Sequence, residues 1–253
     1  MSLPFNQQPN AIYDSDFFQE KRDAVLKSAR VIVPIILEVY PAQSVIDVGC
    51  GDGAWLSIFQ SCGVQNIQGL DGNSLPAEAY LVDQKQIRTN VNFESQEFQI
   101  PAQADLITCL EVAEHLPARN ARQFIGNLAG HAPLIIFSAA VPGQLGTQHI
   151  NEQPPWFWRE VFHGFDFIEI DFIRPLIWGN PEVAWWYRQN ITAYVRRDFL
   201  NSHARLSSLS LQYPSLPDGE RLTVISERIL RSYLARPRWK LLNFFLKLIF
   251  PKY

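Results

Sequence analysis

The sequence predicts an α/β chain: a doubly wound, mostly parallel sheet with an antiparallel closing strand and helices on both faces. Three observations carry this. Val45-Ile46-Asp47-Val48 reads as a strand buried on both faces, running into Gly49-Cys50-Gly51-Asp52-Gly53 and then a helix over Ala54–Ser61. Two further apolar strands, Asp105–Leu110 and Leu134–Ser138, flank a helical segment, Arg119–Ala129, as parallel βαβ units require. Phe165–Ile170 and Ile191–Val195 then supply two late strands that close the sheet as an antiparallel pair.

In chain order, residues 1–13 carry Pro4 and Pro9 among polar residues and read as a loose lead-in. Asp14 or Ser15 caps a helix running towards Tyr40, with Pro34 expected to kink or divide it and Pro41 to stop it. After the first strand, the glycines at alternate positions let the backbone take positive φ and a ligand approach closely. The following helix is expected to present free N–H groups and its positive dipole end to that ligand. Asp47 lies at the carboxyl end of its strand, the edge where open α/β sheets bind ligands. Gly63 ends the helix, and Ile67–Gly72 is a second strand with Asp71 at its carboxyl end. A carboxylate there can accept from both ribose hydroxyls of an adenosine. Residues 73–100 are polar and weakly patterned, with a short strand expected near Val91–Phe93.

Beyond the fifth strand, 139–154 is a long loop at the same carboxyl edge, where loops carry function. Glu152–Phe162 reads as a helix with Pro154 and Pro155 in its first turn. Residues 174–190 interrupt the closing pair. Five of the seven tryptophans lie between Trp156 and Trp186, and read either as an aromatic wall over a substrate pocket or as ordinary core. From Arg228 onwards there are seven basic residues and no acidic ones, interleaved with Trp239, Leu241, Phe244, Phe245 and Phe250. That composition suits an anionic membrane surface, packing on the domain, or a homodimer contact.

Composition narrows the class. A chain of 253 residues, 47% hydrophobic, is long enough for one sizeable α/β domain with an extension. The expected division is 1–40 helical lead-in, 41–200 cofactor-binding domain and 201–253 basic and aromatic extension. A net charge of -3 provides no basic field, so no nucleic-acid partner is expected. Cys50, Cys62 and Cys109 show neither zinc spacing nor a disulfide framework, which suits a cytoplasmic setting. The longest apolar runs fall short of the ~20 residues needed to span a bilayer.

The G-x-G-x-G spacing of Gly49, Gly51 and Gly53 resembles the first motif of class I S-adenosylmethionine-dependent methyltransferases, which share a Rossmann-like sheet. Gly49, Gly51 and Ala54 also satisfy a looser dinucleotide pattern, so the turn alone leaves an NAD-dependent oxidoreductase open. Leu110-Glu111-Val112-Ala113-Glu114-His115 is similar to the L-E-V-x-E-H run that follows the fourth strand of methyltransferases acting on quinones, small RNAs and other small molecules. The loop Gly146-Thr147-Gln148-His149-Ile150-Asn151 resembles that of a bacterial subgroup with a G-T-x-H-x-N loop, associated with small-molecule or glycan modification. Its later runs are matched by Arg174–Trp178 and Trp186–Asn190.

The resemblance covers roughly residues 40–197. It implies S-adenosylmethionine held by Asp47, Gly49, Cys50, Gly51, Gly53, Asp71 and Gly72, with Asn92 and Phe93 bordering the adenine and Leu110 and Glu111 completing the site. It implies methyl transfer to a hydroxyl of a small molecule or glycan precursor, with His149, Glu114 and His115 as catalytic residues. Glu111, Glu114 and His115 have i, i+3, i+4 spacing and His149 lies on the neighbouring loop. Together they suit a divalent cation, magnesium or manganese, as in the small-RNA and ubiquinone-pathway relatives that carry a Glu-x-x-Glu-His run. His149 as a lone base, or a purely structural role, stay open beside it. So does a partner subunit that binds the cofactor without catalysis.

Overall fold

The computed structural model describes residues 15–214. Among these, seven strands form one sheet: β1 (Ser44–Val48), β2 (Asn66–Leu70), β3 (Ile87–Arg88), β4 (Leu106–Leu110), β5 (Leu134–Ser138), β6 (Phe167–Ile170) and β7 (Thr192–Arg196). Their order is β3-β2-β1-β4-β5-β7-β6. The strands β3 to β5 run parallel, with Asp47 beside Thr108 and Leu110 beside Ser138. β7 enters antiparallel to both β5 and β6. The strand order reverses between β1 and β4, which opens a crevice at their carboxyl ends.

Helices cover both faces because both are apolar. Val45, Leu106, Leu110 and Ile136 point to one core, packed against α1 (Ser15–Val39) and α2 (Ala54–Ser61). Ile46, Ile107, Cys109 and Ile135 point to the other, beneath α3 (Ala121–Ala129) and α4 (Pro155–His163). This is the near-continuous apolar pattern of a doubly covered parallel sheet. α1 buries Ala29, Ile32, Val33 and Ile36, one helical stripe.

Several expected boundaries shift. Pro34 lies inside α1 without dividing it. The third strand is Ile87–Arg88, not 91–93. Its partner β2 fixes the register, Gly69 against Ile87, and the chain turns away immediately afterwards. α4 begins at Pro155, so Glu152 belongs to the preceding loop. Within 174–190 lie two short helices, α5 (Arg174–Ile177) and α6 (Trp185–Asn190). The aromatic cluster divides: Trp158 is buried against Phe137, whereas Trp156 and Trp178 are exposed. After β7 follow α7 (Arg197–Ser202) and α8 (Ala204–Gln212). The basic and aromatic stretch from Arg228 lies outside the described residues. Among the described residues, no helix is long and apolar enough to cross a membrane.

α1 is also pinned by a polar contact. Ser28, fully buried, donates to Ala24 O at 2.6 Å and accepts from Ala184 N at 2.9 Å, tying the helix to the segment that delivers α6. Ser28→Ala leaves the Ala184 N–H without its acceptor and should cost about 1–3 kcal/mol in denaturant unfolding. An unchanged midpoint would mean that α1 is held by its apolar stripe alone.

Candidate active site

The carboxyl edge of the sheet carries two groups of functional side chains. The first surrounds the glycine turn. Gly49, Gly51 and Gly53 have φ of 79°, 55° and 82°, which L side chains rarely adopt. A Cβ at Gly49 would also lie 2.2 Å from Val112 Cγ2, so β1 and the turn after β4 touch only because this residue is glycine.

Most of the turn's own amides are engaged within the protein. Gly49 N and Cys50 N both donate to Leu70 O, at 2.7 and 3.1 Å. Gly51 N donates to Asp71 Oδ2 at 2.7 Å, and Gly53 N to Cys50 O at 2.9 Å. At the start of α2, Ala54 N donates to Asp52 Oδ1 at 3.1 Å. Hydrogen bonds within the protein thus occupy the amides of Gly49, Cys50, Gly51, Gly53 and Ala54, two of them on carboxylates.

Asp47 is 3% exposed and accepts from Thr108 Oγ1 at 2.6 Å. Burial, against that hydrogen bond and reinforced by Asp71 and Asp52, pushes its carboxyl up to about 7. Asp52 is also raised by burial, with Arg22 of α1 opposing the shift through an ion pair at 2.7 Å. Asp71 additionally accepts from Asn73 N at 2.8 Å.

The other expected cofactor residues divide. Gly72 abuts Val91: a Cβ there would sit 3.5 Å from Val91 O. Val91 N donates to Asp71 O at 2.9 Å, so this segment does border the crevice. Asn92 itself accepts from Glu94 N at 3.0 Å in a local turn. Phe93 packs edge-on against Phe98 and Phe124. The Cys50 thiol is buried against Gly69, and burial raises it far above its ordinary value.

The second group joins the ends of β4 and β5. Ile150 N and Asn151 N both donate to Glu114 O at 3.0 Å, and Asn151 Nδ2 donates to Ala113 O at 3.3 Å. These bonds dock the 143–153 loop on the 3-10 turn Ala113–His115. Ligand atoms of Glu114, His115 and His149 consequently lie within 4.8 Å of one another. The two imidazoles meet edge to face at 5.0 Å. Glu114 is 0% exposed, and neither carboxylate oxygen has a hydrogen-bond partner among the described residues. Burial, then the Glu111 charge, raises its carboxyl well above the usual range; nearby backbone N–H groups of Glu114 and Ala140 oppose this without reaching hydrogen-bond geometry. A pair of unsatisfied buried oxygens beside two imidazoles fits a cation or a shared proton.

Glu111 does not join that cluster. Its backbone φ is 58°, and its carboxylate accepts from Gln144 Nε2 at 2.7 Å and Asn190 Nδ2 at 3.0 Å. Three residues that sequence reasoning missed thus hold the site. Gln144 and Asn190 bind Glu111. Glu152 accepts from Gly143 N and Leu145 N, at 2.7 and 2.8 Å, and lies 3.3 Å from His149 Nδ1. Because a carboxylate only accepts, Nδ1 carries the proton and Nε2 is left as the basic nitrogen. The signals available were the i, i+3 spacing of His149 and Glu152 and the place of Asn190 at the end of the Trp186–Asn190 run.

Gly146 explains why this loop needs glycine without positive φ. A Cβ there would lie 2.3 Å from His149 Nε2 and Cε1. Gly146→Ala should therefore displace the imidazole while leaving the fold intact. The expected result is a melting temperature within about 2 °C of wild type and a methyl-transfer rate lowered about tenfold or more. Full activity with an unshifted melting point would remove His149 from the machinery.

Residues 17–140 match the family model described as a methyltransferase domain. No curated protein sequence matches significantly. Among solved structures, the chain is similar to the magnesium protoporphyrin IX methyltransferase of Synechocystis PCC 6803 with bound SAH, at 18% identity and a TM-score of 0.53 over 74% of this chain and 90% of that one. It is similar to a sugar N-methyltransferase from Streptoalloteichus sp ATCC 53650, at 14% identity and a TM-score of 0.56 over 78% and 99%. An amino pentose methyltransferase from Micromonospora echinaspora gives 13% and 0.50 over 75% and 100%. The sheet order and the family match agree: residues 17–140 match a methyltransferase domain, and the seven-stranded sheet has the Rossmann-like methyltransferase fold.

Proposed function

We propose that the protein binds S-adenosylmethionine in the crevice between β1, β2 and β4 and transfers its methyl group to a hydroxyl of a small molecule or glycan precursor. The observation that carries this reading is that an acid-lined glycine turn and the Glu114, His115 and His149 cluster share one edge of the sheet. A dinucleotide diphosphate would meet Asp47, Asp52 and Asp71, with the amides of Gly49, Cys50, Gly51, Gly53 and Ala54 already engaged. A sulfonium and an ammonium suit those carboxylates, which argues against the oxidoreductase alternative.

The cofactor supplies an activated methyl group, so the protein must bind, align and deprotonate the acceptor. Asp71 accepts from the ribose hydroxyls. His149, held by Glu152, takes the acceptor hydroxyl's proton at Nε2. A second reading rests on Glu114, whose two unpaired buried oxygens are costly unless something positive joins them. In that reading Glu114, His115 and His149 hold a divalent cation, which would lower the pKa of the acceptor hydroxyl. Both readings disfavour a non-catalytic binding subunit, which has no need of a buried unpaired carboxylate. Two solved structures with this fold act on sugars, in keeping with a glycan-type acceptor. We extend the proposal to a peripheral membrane or homodimer contact through residues beyond 214, on their composition alone.

Labelled S-adenosylmethionine and a small-molecule extract test the reaction. Wild type should transfer label to hydroxylated compounds, and His149→Ala should cut the rate by about 10²–10⁴-fold. If a cation is held, chelator abolishes transfer and magnesium or manganese restores it. If His149 acts as the base alone, chelator is harmless. Transfer unaffected by both chelator and His149→Ala would overturn both readings.

A further inference from the structure

Glu111, Gln144 and Asn190 form a network whose hydrogen-bond polarity can be read without ambiguity. Gln144 Nε2 donates to Glu111 Oε2 at 2.7 Å. Gln144 Oε1 accepts from Asn190 Nδ2 at 2.8 Å and from Val141 N at 3.4 Å. Reversing the Gln144 amide would set its oxygen against a carboxylate and its nitrogen against two donors. Asn190 Nδ2 gives its second proton to Glu111 Oε1 at 3.0 Å. Both amides are therefore fixed. The group left over is Asn190 Oδ1, which is buried, has no hydrogen-bond partner among the described residues, and belongs to a residue only 9% exposed. It can only accept. Native interiors rarely leave such an oxygen unpaired without a functional reason.

Its position indicates what it awaits. Asn190 ends α6, two residues before Thr192, which pairs with Phe137 near the carboxyl end of β5. One turn earlier, Tyr187 accepts from Trp55 Nε1 of α2 at 3.4 Å, and its hydroxyl is raised by burial with Glu111 and Asp47 adding to the shift. The helix end thus lies between the glycine turn and the Glu114 turn. Beside Asn190 Oδ1 stands the Glu111 carboxylate, which makes no ion pair within 4 Å among the described residues. The combination of a neutral acceptor and a carboxylate suits a donor group, best a positively charged one.

We propose that Asn190 Oδ1 receives an N–H or O–H donor of a ligand bound between the two halves of the site. This rests on the methyltransferase reading above, and the donor has two sources: the ammonium of the cofactor's amino-acid tail or a donor group of the methyl acceptor. Glu111, on this proposal, positions Asn190 and supplies the charge, and Gln144 braces both Glu111 and the Asn190 amide nitrogen.

Asn190→Leu removes the acceptor in nearly the same volume, with Asn190→Ala as the second variant should the leucine fail to pack. Gln144→Leu is the control, since it disturbs the same network and keeps Asn190 Oδ1. Calorimetry with S-adenosylhomocysteine and with methylthioadenosine, which lacks the amino-acid tail, reads the cofactor source. Transfer of label to serially diluted extract reads the acceptor source. If Oδ1 receives the ammonium, Asn190→Leu weakens S-adenosylhomocysteine about tenfold more than Gln144→Leu does and leaves methylthioadenosine unchanged. If it receives the acceptor, both adenosine ligands bind as before and the apparent KM for extract rises about tenfold beyond the control, with kcat less affected. Equal behaviour of the Asn190 and Gln144 variants in both arms overturns the proposal while leaving the enzyme reading intact. Wild type that binds no S-adenosylhomocysteine overturns both.

Discussion

A parallel sheet that reverses its strand order between β1 and β4 leaves a crevice at their carboxyl ends, and this chain lines that crevice with carboxylates removed from water. Asp47 and Glu114 are both almost fully buried, and burial is the leading cause of the raised affinity of each for its proton. Buried carboxyls of this kind are costly unless they find a proton, a donor or a cation. Much of the local architecture follows from that constraint. Thr108 on β4 reaches Asp47 on β1 across the point of reversal. Arg22 crosses from α1 to Asp52 and, through its other nitrogen, to Ala79 O, drawing helix and loop over the glycine turn. Neither carboxylate oxygen of Glu114 has a hydrogen-bond partner among the described residues.

The same constraint separates two chemistries that share a glycine-rich turn. In a phosphate-binding turn the first amides of the helix face the ligand and the dipole favours an anion. Here the first helix amide, Ala54 N, is engaged by Asp52, and the turn amides of Gly49, Cys50 and Gly51 by Leu70 O and Asp71. Asp47, Asp52 and Asp71 lie close enough together around the turn for the charges of the latter two to raise the first. The glycines remain necessary for another reason, since β1 and the turn at Val112 could not approach with a Cβ at Gly49.

The fold was legible because each parallel strand is a short apolar run bounded by a turn or helix signal, and because two late strands had to close the sheet. The third strand was not, since two residues paired through the register of β2 carry no periodicity of their own. Within the site, Asp47 and Asp71 stood out as carboxylates at strand ends, and Glu114, His115 and His149 through the resemblance carried by their runs. Gln144 and Asn190 did not, because neutral amides far apart in sequence acquire meaning only when α6 is laid beside Glu111. Glu152 was hidden by assignment to a helix that begins three residues later. Of the helix terminus expected to be free after the glycine turn, Ala54 N is taken by Asp52, two residues before it in the chain.

The central claim is that buried carboxylates at the reversal point select a cationic cofactor, and Asp47 makes it measurable. Its folded value of about 7 lies above the ordinary carboxylate value of 3.8. In the free protein its neutral form therefore contributes stability at low pH that is lost as pH rises through about 7. A bound sulfonium favours the ionised form, so binding releases a proton and tightens as pH rises towards that value. The decisive measurement is calorimetry of S-adenosylmethionine binding between about pH 5.5 and 7.5, in buffers of different ionisation enthalpy. The account predicts affinity rising with pH, proton release on binding, loss of both in Asp47→Asn, and no binding of NAD. Affinity independent of pH and of Asp47→Asn, or a preference for NAD, would contradict it.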